Sequence, residues 1–313
     1  MEFLERRRPV TTFRSGFVAV VGRPNVGKST LLNSLIGQKV AIVSDKPQTT
    51  RNRIHCILTR ADAQVVFLDT PGIHRPLHKL GEYMVDVALR TLDEVDVILF
   101  VVDASHRPGR GDEYIANLLA KSETPVVLAL NKVDLWPKQG QTAKAQEETI
   151  QGYGALGKFK DILPISALEG KGLDELMEVL VGLLPEGPKY YPEDWVTDHP
   201  EQFVIAELIR EKVLLLTREE IPHATAVVVE EMRAREDRDL IDVWATIYVE
   251  RNSQKGIVIG KDGAMLKQVG QLARDEIEAL LGSQINLQLW VKVKDDWRNK
   301  KGSLCDLGYR SYS

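Results

Sequence analysis

The chain has 313 residues, 43% hydrophobic and 27% charged, a composition that excludes a disordered or fibrous protein. Its length suits about two domains, and its formal charge of −4 excludes a uniformly basic surface, so any surface for nucleic acid must be local. The chain starts without a secretory apolar core, has no apolar run near the ~20 residues that cross a bilayer, and carries two widely separated cysteines. We therefore expect a cytoplasmic protein.

The first half of the chain repeats a short apolar run followed by a helical pattern. Continuous Val, Ile and Leu runs predict strands buried on both faces of a mostly parallel sheet. The predicted strands are residues 16–21, 65–68, 97–102, 126–130 and 162–165, and the last helix is residues 172–184. The pattern predicts an α/β, doubly wound domain whose ligands bind beyond the carboxyl ends of the strands.

A phosphate-loop motif, GRPNVGKS, directly follows the first strand and precedes a helix. Such a loop points backbone N–H groups at phosphates, and side chains at Gly22 or Gly27 would obstruct it. Lys28 is predicted to reach the β- and γ-phosphates, and the Ser29 hydroxyl to bind Mg²⁺. The predicted nucleotide contacts in this segment are Gly22, Asn25, Val26, Gly27, Lys28, Ser29 and Thr30.

Two later motifs select the base. The carboxylate of Asp134, in the tetrapeptide NKVD, can accept both N–H donors on the guanine edge, which adenine lacks. Asn131 is expected to contact the base oxygen and hold the loop, and the Lys132 stem to lie across the base. Ser166 and Ala167 end the last strand and offer backbone amides to the guanine oxygen. The motif order predicts a site for GTP and GDP.

The motif DTPG after the second predicted strand completes the metal site. Asp69 is predicted to hold Mg²⁺ through water, and the Gly72 amide to sense the γ-phosphate. A threonine of the polar loop at residues 48–52 would complete the Mg²⁺ shell when GTP is bound, and we favour Thr50 over Thr49. The predicted metal ligands are therefore Ser29, Thr50 and Asp69.

The hydrolytic step lacks the glutamine that orients water in GTPases of the Ras type, because Ile73 occupies that position. Either the protein is a GTP-binding scaffold with negligible turnover, or another group replaces the glutamine. The Pro24-Asn25 pair resembles the loop of potassium-activated GTPases, so for the second account we predict that Asn25 binds K⁺ near the β–γ bridge. The predicted catalytic residues are Asn25, Lys28, Thr50 and Gly72, with slow intrinsic hydrolysis of GTP to GDP and phosphate.

A segment that contains proline and glycine ends the alternation of apolar runs and helical patterns, and we place the domain boundary there. The predicted domains are residues 1–185 and 201–313, with a linker at 186–200. Past the linker we predict helices at 202–216 and 263–281 and strands at 225–232, 240–249 and 285–294. These elements form a smaller α+β domain with a one-sided sheet.

A Gly-x-x-Gly turn precedes the long helix of this second domain. Such a turn lets the backbone approach nucleic-acid phosphates, although an ordinary helix start has the same pattern. Residues 251–301 hold 10 Lys/Arg against 6 Asp/Glu, a local net charge of +4. The predicted RNA contacts are Ile259, Gly260, Lys261, Asp262, Gly263, Lys267 and Lys292.

The chain resembles the Era family of bacterial ribosome-assembly GTPases over roughly residues 10–310. The resemblance rests on the motifs above, on the Thr-Thr-Arg loop, and on the tail motifs LWVKVK and LGY. It implies a P-loop GTPase domain followed by a type II KH domain, binding of the 3′ end of 16S rRNA during maturation of the 30S subunit, and peripheral association with the inner membrane. We expect a monomer. The alternatives are a signalling or cell-cycle GTPase acting on proteins or the membrane, and the non-hydrolysing scaffold.

Overall fold

The computed structural model describes residues 12–44, 46, 48–73, 76 and 78–309. The strands of the first part are β1 (Arg14–Val21), β2 (Ile54–Thr59), β3 (Ala63–Asp69), β4 (Val97–Asp103), β5 (Val126–Asn131) and β6 (Asp161–Pro164). Its helices are α1 (Lys28–Ile36), α2 (Lys79–Leu92), α3 (Arg110–Leu119), α4 (Leu135–Lys138), α5 (Ala143–Gly154) and α6 (Leu173–Leu183).

These strands form one sheet in the order β2-β3-β1-β4-β5-β6. All neighbours are parallel except β2, which pairs antiparallel with β3. Every residue of β3 and β5 is buried, because helices cover both faces of the sheet. The predicted doubly wound, mostly parallel architecture is confirmed, and the loops after β1, β3, β5 and β6 meet at one edge.

Strand β2 is the element that the sequence pattern did not predict. It lies at the edge of the sheet, and the backbone N–H of Ile57 donates to the carbonyl oxygen of Val196 at 2.8 Å. Gln64 of β3 binds the same segment, since its Oε1 accepts from the backbone of Tyr190 at 2.7 Å and of Tyr191 at 3.0 Å. The segment predicted as a linker is therefore hydrogen-bonded along the edge of the sheet formed by β2. The domain boundaries stay a prediction.

The second part is a smaller α+β unit. Its helices are α7 (Glu201–Leu216), α8 (Ile221–Ala224), α9 (Asn252–Ile259), α10 (Ala264–Leu281) and α11 (Lys301–Asp306). Its strands are β7 (Ala226–Ala234), β8 (Leu240–Val249) and β9 (Gln284–Val293), in the order β7-β8-β9 with β8 and β9 parallel. Helices α7 and α10 bury one sheet face, so the predicted one-sided sheet is confirmed.

The two parts contact each other through a small apolar cluster. Leu80 and Met84 of α2 pack with Ala226 of β7 and with Trp297 and Tyr309 near the end of the described chain. Helix α2 follows the loop that carries the Asp69–Gly72 motif, so this loop leads directly into the domain interface. Within the described ranges, no helix is long and apolar enough to cross a membrane.

Candidate nucleotide site and nucleic-acid interface

The phosphate loop is shaped by close backbone packing between β1 and α1. Gly27 has φ of 99°, and a Cβ there would lie 2.4 Å from Asn131 Nδ2, so no side chain fits. Lys28 is buried, and its Nζ donates to the carbonyl oxygens of Gly22 at 3.2 Å and Arg23 at 3.1 Å. Burial lowers the pKa of Lys28 to about 8, an effect that nearby Asp69 opposes. The loop therefore holds the ammonium group of Lys28, whose charged form an anionic phosphate would stabilise.

The three predicted metal ligands meet at the carboxyl ends of β1 and β3. Ser29 Oγ donates to Asp69 Oδ2 at 2.9 Å, Thr50 Oγ1 donates to the same oxygen at 3.1 Å, and the two hydroxyls are 3.1 Å apart. Asp69 is fully buried, which raises the pKa of its carboxyl group. Its Oδ1 has no hydrogen-bond partner among the described residues. This oxygen-only donor set fits Mg²⁺, which prefers carboxylate, hydroxyl and water ligands.

The geometry favours Thr50 over Thr49 at this position. The Thr49 hydroxyl donates instead to the carbonyl oxygen of Lys46 at 2.6 Å, which makes it a turn residue. Asn25, Lys28, Thr30 and Gly72 line the same cavity as Thr50, whereas Ile73 is buried in the apolar core below the sheet edge. The side chain of Ile73 therefore does not face the nucleotide cavity.

The guanine end of the site is joined to the phosphate loop through Asn131. Its Nδ2 donates to the carbonyl oxygen of Val26 at 2.8 Å, and its Oδ1 accepts from the backbone N–H of Ala167 at 2.9 Å. Ser166 Oγ donates to Asp134 Oδ1 at 2.7 Å, which orients that carboxylate. Asn131 thus connects three loops, and its contact with the base stays a prediction.

Lys132 forms a second connection that the sequence pattern did not indicate. Its Nζ donates to the carbonyl oxygen of Asn25 at 2.8 Å and forms an ion pair with Asp103 Oδ2 at 2.6 Å. The pKa of Asp103 is lowered, because hydrogen bonds and charge from Lys132 and Ser105 outweigh its partial burial. Asp103 ends β4, and its position at the carboxyl end of an apolar strand is the signal that could have identified it.

The Gly-x-x-Gly turn joins α9 to α10 at the surface of the second part. Gly260 has φ of 76°, and a Cβ there would lie 2.8 Å from the backbone nitrogen of Met265, so the turn requires glycine. Lys261 and Asp262 are exposed between the two glycines. Beside this turn, Lys267 and Arg274 of α10 line a cleft with Leu287 and Leu289 of β9.

The predicted RNA contacts do not all lie together. The side chain of Ile259 packs against the core, so only its backbone is available at the turn. Lys292 alternates with the buried Val291 on β9 and therefore lies on the face opposite α10, away from the cleft that holds Lys267. Arg274 was not predicted, although its spacing of seven residues from Lys267 places both on one face of a helix.

Two family models match the chain. A model described as 50S ribosome-binding GTPase matches residues 17–132, and a KH domain model matches residues 220–298. The GTPase Era of Alkaliphilus oremlandii (strain OhILAs) is 55% identical over 298 residues, 95% of this chain and 99% of that protein. The chain belongs to the Era family. The P-loop GTPase and KH fold classes predicted from the sequence are thereby confirmed.

Solved Era structures resemble the whole chain. One is a complex of Era with MgGDPNP and nucleotides 1506–1542 of 16S ribosomal RNA, with a TM-score of 0.91, 42% identity, and coverage of 96% of this chain and 100% of that one. Another is an Aquifex aeolicus Era variant bound to GDP and AlF4⁻, with a TM-score of 0.90, 42% identity and the same coverages. Because each match spans both parts of the chain, the arrangement of the two parts is shared as well.

Proposed function

We propose that this protein is a GTP-binding and GTP-hydrolysing switch that binds 16S rRNA near its 3′ end and assists assembly and maturation of the 30S subunit. One observation carries the proposal: the Era structure that holds both MgGDPNP and the 16S rRNA segment matches this chain across 96% of its length. The nucleotide loops and the Gly-x-x-Gly cleft supply the two sites that such a switch needs.

GTP, GDP and Mg²⁺ are the proposed ligands of the first site. Lys28 and the loop amides hold the phosphates, and Asp134 accepts the guanine N–H groups. Ser29, Thr50 and Asp69 would hold Mg²⁺, which supplies positive charge to the β- and γ-phosphate oxygens. Thr50 lies in the loop between α1 and β2, and its coordination of the metal would strengthen when the γ-phosphate is present.

The hydrolytic group remains a separate proposal. The burial of Ile73 in the core supports replacement of the usual glutamine by another group. Asn25 lines the nucleotide cavity and has φ of 64°, which turns the loop beside the expected β–γ bridge. We keep the prediction that Asn25 binds K⁺ there, and equal turnover in sodium and potassium buffers would contradict it. Absence of turnover in both buffers would favour the scaffold alternative.

The RNA site is proposed at the Gly-x-x-Gly turn and the adjoining cleft. Lys261, Lys267 and Arg274 supply positive charge there, and the apolar floor of Leu287 and Leu289 suits unstacked bases. Lys292 lies on the other face of β9. To contact Lys292 as well, the RNA would have to pass around the edge of the sheet. In a KH domain, the Gly-x-x-Gly turn and its cleft clamp about four nucleotides of single-stranded RNA.

Cellular location and assembly follow from the same proposal. A protein that acts on the 30S precursor works in the cytoplasm, and a single chain contains both proposed sites, so we propose a monomer. The peripheral association with the inner membrane stays a prediction, since no contact among the described residues supports it. A signalling or cell-cycle role, with the KH domain as a protein interface, is the alternative function.

RNA crosslinking and sequencing in cells tests the proposal against this alternative. The protein is crosslinked, purified and sequenced with its bound RNA, and a strain expressing the Asp134→Asn variant serves as the nucleotide-binding control. Enrichment of the 3′ end of 16S rRNA with the wild-type protein is the expected result. Enrichment of no small-subunit RNA would contradict the proposal and would favour the signalling role.

A further inference from the structure

Arg210 of α7 reaches from the second domain to the loop that carries Thr50. Its Nη2 donates to the carbonyl oxygen of Thr49, the residue directly before this metal ligand. The same guanidinium is paired with Glu207, through Nε at 2.7 Å and Nη2 at 2.5 Å. Arg210 is fully buried, so this contact forms part of the packed interface rather than a transient surface pair.

The residue after Thr50 makes the reciprocal connection. Arg51 extends from the loop into the second domain, where Nη1 donates to the carbonyl oxygen of Thr225 at 2.7 Å and Nη2 to that of Pro222 at 3.0 Å. Nη1 also donates to Tyr309 Oη at 3.2 Å. The second domain thus holds the residues on both sides of Thr50, Thr49 through its backbone carbonyl and Arg51 through its side chain.

A third attachment lies at the start of the loop. Glu211, the neighbour of Arg210 on α7, accepts from the backbone N–H of Val43 at 2.8 Å and from Lys39 Nζ at 2.5 Å. Lys39 also pairs with Glu276 of α10 at 2.8 Å, on the helix that begins at the Gly-x-x-Gly turn. The loop between α1 and β2 is therefore fixed to the two helices that form the core of the KH domain.

We infer that Arg210 is a positioning residue for the Mg²⁺ site, through which the KH domain favours binding of GTP with Mg²⁺ over binding of GDP. By holding the Thr49 carbonyl, it keeps the Thr50 hydroxyl within reach of Ser29 and Asp69. GDP lacks the γ-phosphate that brings this loop to the metal, so it gains less from the same contact. The inference rests on the proposed nucleotide function and adds a residue from outside the GTPase domain.

The interface is suited to respond to the nucleotide because it buries the positive charge of Arg51 without a hydrogen-bonded carboxylate partner in the described part of the chain. Among the described residues, the acceptors of Arg51 are carbonyl and hydroxyl oxygens rather than carboxylates. The Nε of Arg51 is buried and has no hydrogen-bond partner among the described residues. Separation of the two domains would return Arg51 to water. Release of the loop that carries Thr50 can therefore shift the equilibrium between the joined and the separated arrangement of the domains.

The test compares the full-length wild type with the Arg210→Met variant and with Arg235→Met as a control. Arg235 is also an arginine of the KH domain, but it pairs with Asp242 within that domain. Binding of a non-hydrolysable GTP analogue is measured over a range of Mg²⁺ concentrations, and binding of GDP is measured in parallel. We expect Arg210→Met to weaken binding of the analogue with Mg²⁺ by a factor of about 5 to 150 and to raise the Mg²⁺ requirement, with GDP affinity unchanged.

Equal weakening for GDP and for the analogue would indicate a merely structural role and would overturn the inference, as would no weakening at all. Arg210→Lys keeps the charge beside Glu207 but lacks the planar fork that serves two acceptors, so we expect an intermediate loss of analogue affinity. If Arg210→Met does not fold, hydrogen exchange of the wild type decides: helix α7 (Glu201–Leu216), which carries Arg210, should be better protected with the analogue and Mg²⁺ than with GDP, and equal protection would overturn the inference.

Failure of this inference is distinct from failure of the proposed function. The Mg²⁺ and nucleotide measurements need no RNA, so they decide the role of Arg210 alone. RNA affinity of the wild-type protein decides the proposed function alone.

Discussion

The nucleotide site and the Gly-x-x-Gly turn proposed to bind RNA, here called the RNA turn, are built in opposite ways. At the nucleotide site the key side chains, such as Lys28, Asp69 and Asn131, are buried and held by hydrogen bonds from several loops. At the RNA turn, Lys261 and Asp262 are exposed, and the glycines contribute backbone shape rather than side chains. We therefore expect the first site to select its ligand through fixed polar atoms and the second to select its ligand through shape and charge.

This difference has consequences for how mutations act. Changing one polar atom at the nucleotide site leaves a buried partner unsatisfied and alters which ligand is accepted. Changing the exposed turn alters the local charge and leaves the core intact. Substitutions at each site, together with a change of pH, can therefore distinguish a site that depends on buried polar atoms from a site that depends on backbone shape and charge.

Asp134→Asn should convert the base preference from guanine to xanthine, and this is the change that should matter most. An amide cannot accept both N–H donors of guanine, but it can pair with the donor and acceptor that xanthine presents. We expect guanine-nucleotide affinity to fall by about 10³-fold or more while xanthine-nucleotide affinity rises. The Ser166 hydroxyl can still donate to the remaining oxygen, so the loop should persist.

The measurement is equilibrium binding of GDP and of xanthosine diphosphate. Asp174→Asn, an exposed acidic residue in the first turn of α6, is the matched control and should change neither affinity. An equal loss for both bases in Asp134→Asn would contradict the assigned role of the carboxylate.

Gly263→Asp should weaken RNA binding by about 10- to 100-fold, because it places a negative charge at the proposed phosphate contact. Gly263 has φ of 77°, which strains the backbone of any residue with a side chain, but no atom of the described residues lies within 4 Å of the place that a Cβ would occupy, so the aspartate meets no steric clash. Gly282→Asp is the matched control, since Gly282 has φ of 68°, equally open space, and a position at the opposite end of the same helix.

RNA affinity of the two variants is measured at one salt concentration by fluorescence anisotropy, and guanine-nucleotide affinity is measured alongside it. Equal RNA affinity in Gly263→Asp and Gly282→Asp would remove the turn from the RNA site. Loss of nucleotide affinity in either variant would show that the two sites are not built independently.

Nucleotide affinity should fall as the pH rises through 8, because the pKa of Lys28 is about 8 in the nucleotide-free chain. Below that pH the lysine already carries its proton, whereas above it the proton must be taken up on binding. We expect a loss of up to about tenfold between pH 8 and pH 9. Calorimetry in two buffers of different ionisation enthalpy should show proton uptake at pH 9, and its absence with unchanged affinity would contradict the buried cation.

The sequence predicts features that depend on local spacing better than those that depend on distant partners. The phosphate loop, Asp69 and the fully buried strands follow from short motifs and apolar runs, and the structure brings Ser29, Thr50 and Asp69 together as predicted. Strand β2 was missed because His55 interrupts its apolar residues and leaves only a short apolar run before Thr59.

Distant pairs account for most of what the sequence left undetermined. Nothing near Arg51 indicates that its acceptors lie more than 170 residues away, at Pro222 and Thr225. Arg210 and Thr49 are likewise distant in sequence, 161 residues apart. Lys292 shows the related difficulty for exposed residues. The alternation along β9 places it opposite the apolar face, and only the structure shows that the cleft beside the Gly-x-x-Gly turn opens on the apolar side.

The proposed switch requires nucleotide state and RNA binding to be coupled within one chain. This coupling is measured as the affinity of the wild-type protein for an RNA equivalent to nucleotides 1506–1542 of 16S rRNA, with a GTP analogue and Mg²⁺ and then with GDP, at one fixed salt concentration. We expect two affinities that differ by a factor of about 5 to 150. Equal affinities in the two nucleotide states would contradict the switch.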